Sequence, residues 1–163
     1  MWVNVGEKTM FRGLAAVNID IKGRITIPAH YRDILHAEAK DELVITIDTE
    51  ERVLLLYPAP IWQQIETELV QLPTYNPGVR RVQRLLIGHA TDLEMDRHGR
   101  ILLPGLLREY AGLDKTIMLV GQGKKFEIWG ESQWQMARDG WLAEGMGDES
   151  GQGVPPELSS LSL

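Results

Sequence analysis

Aspartate followed three and four residues later by glycine and arginine occurs twice in this chain, as Asp20-Ile21-Lys22-Gly23-Arg24 and as Asp96-Arg97-His98-Gly99-Arg100. A carboxylate at the first position can accept the backbone N–H groups of a tight turn or the guanidinium itself, and glycine supplies the positive φ that lets the chain reverse. An arginine held this way can meet a phosphate, or the O6/N7 edge of guanine, with two parallel hydrogen bonds that the compact charge of lysine does not form. The plain alternative is that each Asp–Arg pair only closes its own turn, and one copy of the motif does not choose between the two. Two copies, each followed by an apolar strand, favour an external partner. Lys22 and Arg97 inside the turns, and Arg12 in the segment before the first, are candidate phosphate contacts that fix register without reading sequence; a solvated surface charge is the alternative for each.

The elements that must position these turns come from an internal repeat. Ile19 to Arg32, IDIKGRITIPAHYR, returns 76 positions later as MDRHGRILLPGLLR from Met95 to Arg108, with six of fourteen positions identical. Asp20, Gly23, Arg24, Ile25, Pro28 and Arg32 reappear as Asp96, Gly99, Arg100, Ile101, Pro104 and Arg108. With the offset reduced to 72, Leu54 to Tyr57 answers Phe126 to Trp129, and Trp62 answers Trp134. Each half reads as strand, turn, strand, proline-started short helix, hairpin and a Trp-bearing helix. Pro28 and Pro104 suit a first helical turn, where a missing N–H is harmless. Asn76-Pro77 predicts an N-cap and first helical residue of a helix through Leu86, with Val79, Val82 and Leu86 on one face and Arg80, Arg81 and Arg84 off it. That arginine trio suits ion pairs between subunits better than DNA. A further helix is predicted from Pro60 to Leu72, and soon after Trp141 a Gly, Pro and acid-rich stretch reads as a flexible tail. Trp62, Trp129, Trp134 and Trp141 read as core or interface anchors rather than base-stacking platforms.

Composition narrows the functional classes. With 163 residues, 44% apolar and 25% charged, the chain has the make-up of a soluble globular protein, long enough to be stable without a metal or disulfide. Cysteine is absent, which removes disulfides, thiolate metal sites and a cysteine nucleophile. The longest apolar run, Val53 to Tyr57, is far below the ~18 residues of a membrane span, and the amino terminus shows no signal-peptide core. The formal charge of −6 argues against nucleic acid only on average: residues 139–163 hold five acidic groups and no Lys or Arg, whereas residues 1–138 carry 17 basic against 18 acidic groups. A near-neutral body binds phosphate if its arginines share one surface, because the relevant field is local. An enzyme finds little support. Ser132 is the sole serine before the tail, and His30, His36, His89 and His98 form no metal-ligand pair. Gly121 to Lys125, GQGKK, lacks phosphate-loop spacing and reads as a hairpin turn, and His89 reads as a structural hydrogen-bonder.

MFRG at Met10 to Gly13, DIKGRITIP at Asp20 to Pro28, RRVQRLLIGHA at Arg80 to Ala90, DRHGR at Asp96 to Arg100 and KKFEIW at Lys124 to Trp129 together resemble the MraZ family, within the wider AbrB-like group of swapped-hairpin DNA binders, over about residues 10–141. The resemblance implies an α+β, β-rich fold: two tandem AbrB-like swapped-hairpin units forming an internal pseudo-dimer β-barrel with short flanking helices. The corresponding division is an N-terminal extension at 1–9, a first repeat at 10–75, a second at 76–141 that includes the linking helix, and a flexible acidic tail at 142–163. It further implies a sequence-specific transcriptional regulator, a repressor of the division and cell-wall gene cluster and of its own promoter. On this reading Asp20/Arg24 and Asp96/Arg100 are the DNA-binding pairs, the chains assemble into rings, and the protein is cytoplasmic and nucleoid-associated, without cofactor or membrane partner. A ring that presents one turn surface at regular intervals calls for short direct repeats in double-stranded DNA rather than a palindrome. The competing reading is a protein-interaction or antitoxin-like module with secondary DNA affinity.

Overall fold

The computed structural model describes residues 10–145 and 154–163; the N-terminal extension at 1–9 lies outside them, as does the Gly-rich core of the tail. Residues up to Glu131 make one compact unit and those from Ser132 a second. In the first unit the chain runs β1 (Phe11–Asn18), β2 (Arg24–Thr26), α1 (Ala29–Ala39), β3 (Glu42–Ile47), β4 (Leu54–Pro58), α2 (Ala59–Val70), α3 (Pro77–Leu86), β5 (Thr91–Glu94), β6 (Arg100–Leu102), α4 (Gly105–Tyr110), β7 (Thr116–Gly123) and β8 (Phe126–Gly130). Glu131–Glu144 forms α5 and Pro156–Ser159 forms α6.

The two copies of the repeat are threaded through one another. Six strands make a sheet in the order β1-β7-β8-β4-β3-β5, and β2 and β6 make a separate two-stranded ribbon. The first strand of each copy pairs with the hairpin of the other: β1 lies antiparallel to β7, and β5 antiparallel to β3. The hairpins β3–β4 and β7–β8 then meet along β4 and β8. Among the described residues these strands form a six-stranded sheet and a ribbon, with no closed barrel.

The first hairpin, β3–β4, is buried on both faces, whereas in the second Met118 and Glu127 are only partly buried. Leu43, Ile45, Leu54, Leu56, Ile117, Leu119, Phe126 and Ile128 join the main core with Ile25, Ile27, Ile101, Leu103, Leu35 and Leu107 from the ribbons and helices. Val44, Leu55, Tyr57, Ala59 and Trp62 form a smaller cluster between the other face and α2. Among the described residues Thr46 is the one buried polar or charged side chain, and its hydroxyl donates to the Leu86 carbonyl at 2.6 Å, which ties β3 to the end of α3. Phe11 stacks on Phe126 with ring centroids 4.3 Å apart, anchoring the start of β1 on the other repeat.

Helix boundaries follow local chemistry with small shifts. Pro28 and Pro104 occupy the N-cap rather than the first helical turn, with ψ near 140° that leads from ribbon into helix. Asn76 caps α3 as its sequence predicts, accepting the Gly78 N–H at 2.9 Å, with Pro77 as first helical residue. In the second unit α5 continues to Glu144, so the tail expected from residue 142 begins inside a helix; Leu142, Ala143 and Glu144 favour helix, and Gly145 ends it at φ 73°. Trp134 and Trp141 of this helix meet edge to face at 5.9 Å. No helix among the described residues is long and apolar enough to cross a membrane.

Candidate nucleic-acid interface

Each Asp-x-x-Gly-Arg motif folds into the same small cage. In the first turn Asp20 Oδ1 accepts the backbone N–H groups of Lys22 at 2.9 Å and Arg24 at 2.8 Å, while Oδ2 accepts Nε–H of Arg24 at 2.8 Å. In the second, Asp96 Oδ1 accepts from the N–H groups of His98 and Arg100, and Oδ2 from Nε–H of Arg100, all at 2.9 Å. Main-chain bonds close both loops in the same way, Gly23 to Asp20 at 3.0 Å and Gly99 to Asp96 at 2.9 Å. The carboxylates respond to this donor set. The backbone N–H of Arg100 is the largest influence holding Asp96 down to about 2, and that of Arg24 is the largest lowering Asp20. Both remain ionised throughout the neutral range.

The bracing is side-on, and that decides what each arginine can still do. Aspartate takes only the Nε edge, so the Nη1/Nη2 end of Arg24 and of Arg100 stays clear of hydrogen bonds to the described residues. That end is the planar fork that fits a phosphate or the O6/N7 edge of guanine. The ribbon register puts both forks on one surface. Ile25 pairs with Ile101 at the centre and both point into the core, each about 1% exposed. Arg24 pairs with Leu102 and Thr26 with Arg100, so these four alternate to the outer face. Each buried isoleucine contributes roughly 1.5–3 kcal/mol of burial energy that fixes this register, because a slip by one residue would turn the arginines inward.

The two turns also brace each other. The Ile27 N–H donates to the Gly99 carbonyl at 2.8 Å, and the Leu103 N–H to the Gly23 carbonyl at 3.0 Å. Arg32, from α1, donates through Nη1 to the His98 carbonyl at 3.2 Å and lies under Gly99, while Arg108, from α4, lies under Gly23 and donates through Nε to the Leu103 carbonyl at 3.3 Å. Arg32 and Arg108 thus each lie under the turn of the opposite repeat, Arg32 hydrogen-bonding to it and Arg108 packing against it. Their appearance among the six repeat identities was the available signal of a role. Glycine is required above them twice over. Gly23 and Gly99 have φ of 88° and 76°, and a Cβ on Gly99 would stand 2.1 Å from Arg32 Cδ.

The remaining candidates divide. Lys22 and Arg97 are exposed within the turns, Arg97 donating through Nε to His98 Nε2 at 3.3 Å. They are not equivalent positions: His98 stands where the first turn has Lys22, and Ile21 where the second has Arg97. Arg12 lies at the opposite end of β1, about 20 Å of strand away from the turn, opposite Gln122, so the fold does not bring it to this surface. Its carbonyl instead accepts the Tyr31 hydroxyl, which fastens β1 to α1. Of the helical trio, Arg80 donates to the Thr74 carbonyl at 2.7 Å, whereas Arg81 and Arg84 are exposed. His89 meets the Leu85 carbonyl at 2.8 Å, a structural contact as its setting suggests. Trp62 is buried with its indole N–H on Glu66, and Trp129 is buried with its own on Glu127. Gly121 to Lys125 is a hairpin connection closed by the Gln122 N–H on the Lys125 carbonyl at 2.9 Å. Among the described residues no group of three or more acidic or histidine side chains is placed to hold a metal ion.

Comparison with known proteins places this architecture. A family model described as "MraZ protein, putative antitoxin-like" matches twice, over residues 10–85 and 86–140. A protein of Coxiella burnetii named transcriptional regulator MraZ is 62% identical over 154 residues, covering 94% of this chain and all of the relative. Relatives of the same name from Legionella pneumophila and Alkalilimnicola ehrlichii are 54% and 53% identical, again over 94% of this chain and their whole length. With both copies of the repeat matched and identity sustained from end to end of these relatives, the chain belongs to the MraZ family.

Proposed function

We propose that this protein is a transcriptional regulator that binds double-stranded DNA sequence-specifically through its paired Asp-braced arginines. The carrying observation is the side-on bracing: Asp20 and Asp96 immobilise Arg24 and Arg100 by Nε and leave both guanidinium forks directed outward from one ribbon. Pre-ordering a long side chain removes part of the entropy cost of binding, and a bidentate contact to guanine then discriminates by roughly 1–3 kcal/mol. Lys22 and Arg97 supply phosphate contacts beside the forks. The names of the Coxiella, Legionella and Alkalilimnicola relatives support a role in transcription.

The finer reading rests on the family resemblance. The two repeats act as an internal pseudo-dimer of swapped hairpins around a barrel-like core, and chains assemble into a ring that engages short direct repeats in the promoter. There the protein represses the division and cell-wall genes and its own transcription, working in the cytoplasm at the nucleoid. The test is a gel shift at physiological salt with a fragment from upstream of the protein's own gene. The wild-type chain retards it, and Arg24→Ala or Arg100→Ala weakens retardation while leaving the fold intact. The second reading, a protein-interaction or antitoxin-like module, is favoured by the words "antitoxin-like" in the family description. It requires that the fragment not be retarded at physiological salt in a way that depends on Arg24 and Arg100.

A further inference from the structure

We propose that Ile21 is a specificity-determining contact that reads the C5 methyl group of a thymine, so that the two turns of one chain read chemically different DNA and give the recognised element a direction. This rests on the DNA-binding reading above. Ile21 stands at the tip of the first turn with a relative exposure of 102%, so nothing among the described residues covers it. Its neighbours are polar or charged: Asp20 before it, Lys22 after it, and the outward fork of Arg24.

A β-branched aliphatic residue at such a tip runs against turn chemistry, which favours Asn, Asp, Gly and Ser, and it brings no burial energy in return. The second turn shows that the backbone does not need it. That turn makes the same set of hydrogen bonds with Arg97 in the equivalent place. In the major groove the thymine methyl is the base-edge group that an apolar side chain recognises, and Ile21 stands fully exposed in the same turn as the Arg24 fork.

The asymmetry extends to the ribbon. Arg24 lies opposite Leu102, which is 55% exposed, whereas Arg100 lies opposite Thr26. The first arginine is thus flanked by apolar groups and the second by polar ones, although the cages that hold them are the same. A symmetric pair of readers would accept a palindromic element; this pair fits one with a thymine-bearing end and an end addressed through phosphate by Arg97.

The experiment uses the full chain and the upstream fragment amplified with either dTTP or dUTP, since uracil pairs like thymine but lacks the methyl. Wild-type protein binds the uracil fragment more weakly, by about fourfold for each methyl contacted. Ile21→Ser binds the thymine fragment with the same loss and no longer distinguishes the two. Equal wild-type affinity for both fragments overturns the proposal and leaves the DNA-binding reading intact, as does an Ile21→Ser protein that still discriminates them. Failure of the wild type to bind either fragment overturns the DNA-binding reading itself. Light scattering of Ile21→Ser shows an unchanged mass; a smaller species means that Ile21 is covered by a second copy of the chain, and also overturns the proposal.

Discussion

Between the two repeats the Asp-centred hydrogen bonds of the turns match one for one, whereas the helices that follow them do not match in length: α1 has eleven residues and α4 has six. The difference follows from what each segment depends on. In a turn of five residues the side-chain bonds are made by specified atoms, so replacing Asp or Arg removes at least one, and replacing Gly forces a side chain into a positive φ. A helix needs only an apolar stripe toward the core and an acceptable end. The α1 stripe of Tyr31, Leu35 and Ala39 is answered in α4 by Leu107 alone, with Ala111 just beyond. The residues held fixed between copies are thus those that aim the arginines, including Arg32 and Arg108, which reach across to the other copy.

Substituting both reading arginines is the most direct way to break the equivalence of the turns. Arg24→Ala and Arg100→Ala each cost roughly 1–3 kcal/mol per contacted site, and in a ring engaging several repeats the losses compound until the double variant shows no shifted band. Circular dichroism melting of all three variants stays close to wild type, because a solvent-exposed ion pair adds little to folding. Unequal losses from the two single variants would mean that the turns carry different shares of the binding energy.

Glycine substitutions sharpen the comparison at the level of stability. Gly23→Ala and Gly99→Ala each place a side chain at positive φ, which costs on the order of 1–3 kcal/mol. Gly99→Ala is the more damaging, since its Cβ would meet Arg32 Cδ at 2.1 Å, while that on Gly23 would meet Arg108 Cζ at 2.9 Å. Urea unfolding gives the ranking, and pairing Gly99→Ala with Arg32→Ala recovers part of the loss.

A smaller effect appears in titration. Asp96 has a folded pKa of about 2 against an ordinary value of 3.8, so the stability it provides is fully present above pH 4 and is lost as the pH falls through about 2. Carboxyl carbon shifts followed by NMR place its midpoint near 2 in the wild type. In Arg100→Ala the midpoint rises but stays below 3.8, because the backbone N–H groups of residues 98 and 100 remain. Asp20, lowered by the same arrangement around Arg24, responds in the same direction to Arg24→Ala.

The smallest expected effect comes from the acidic tail. Truncation after Gly145 removes Asp148, Glu149 and Glu157 and no basic residue. It raises DNA affinity slightly at low salt, for both turns alike, and the gain disappears as salt screens the repulsion. Binding isotherms at two salt concentrations measure it.

Much of this was legible in the sequence because the chain repeats itself. The two turns, both hairpins and the N-cap at Asn76 followed from spacing and residue type. The pairing of β1 with β7 did not, since an apolar strand pattern states which face is buried and says nothing about the neighbour, here roughly a hundred positions away. Arg32 and Arg108 stood in plain view among the identities, but a helical arginine carries no mark of reaching another repeat. Arg12 was grouped with the turns by closeness in sequence, which a strand eight residues long converts into distance.

The threading of β1 against β7 and β3 against β5 has a consequence for how the protein is made. During synthesis the first repeat leaves the ribosome with β1 unpaired and with no second ribbon strand for β2, and the partners follow roughly a hundred and about seventy-five residues later, respectively. At translation rates of about 5–20 residues per second, that apolar edge waits for several seconds. Neither repeat can finish folding alone, so the nascent first half is a natural client for holding chaperones, and a chain released early exposes a strand edge ready to pair with its neighbours.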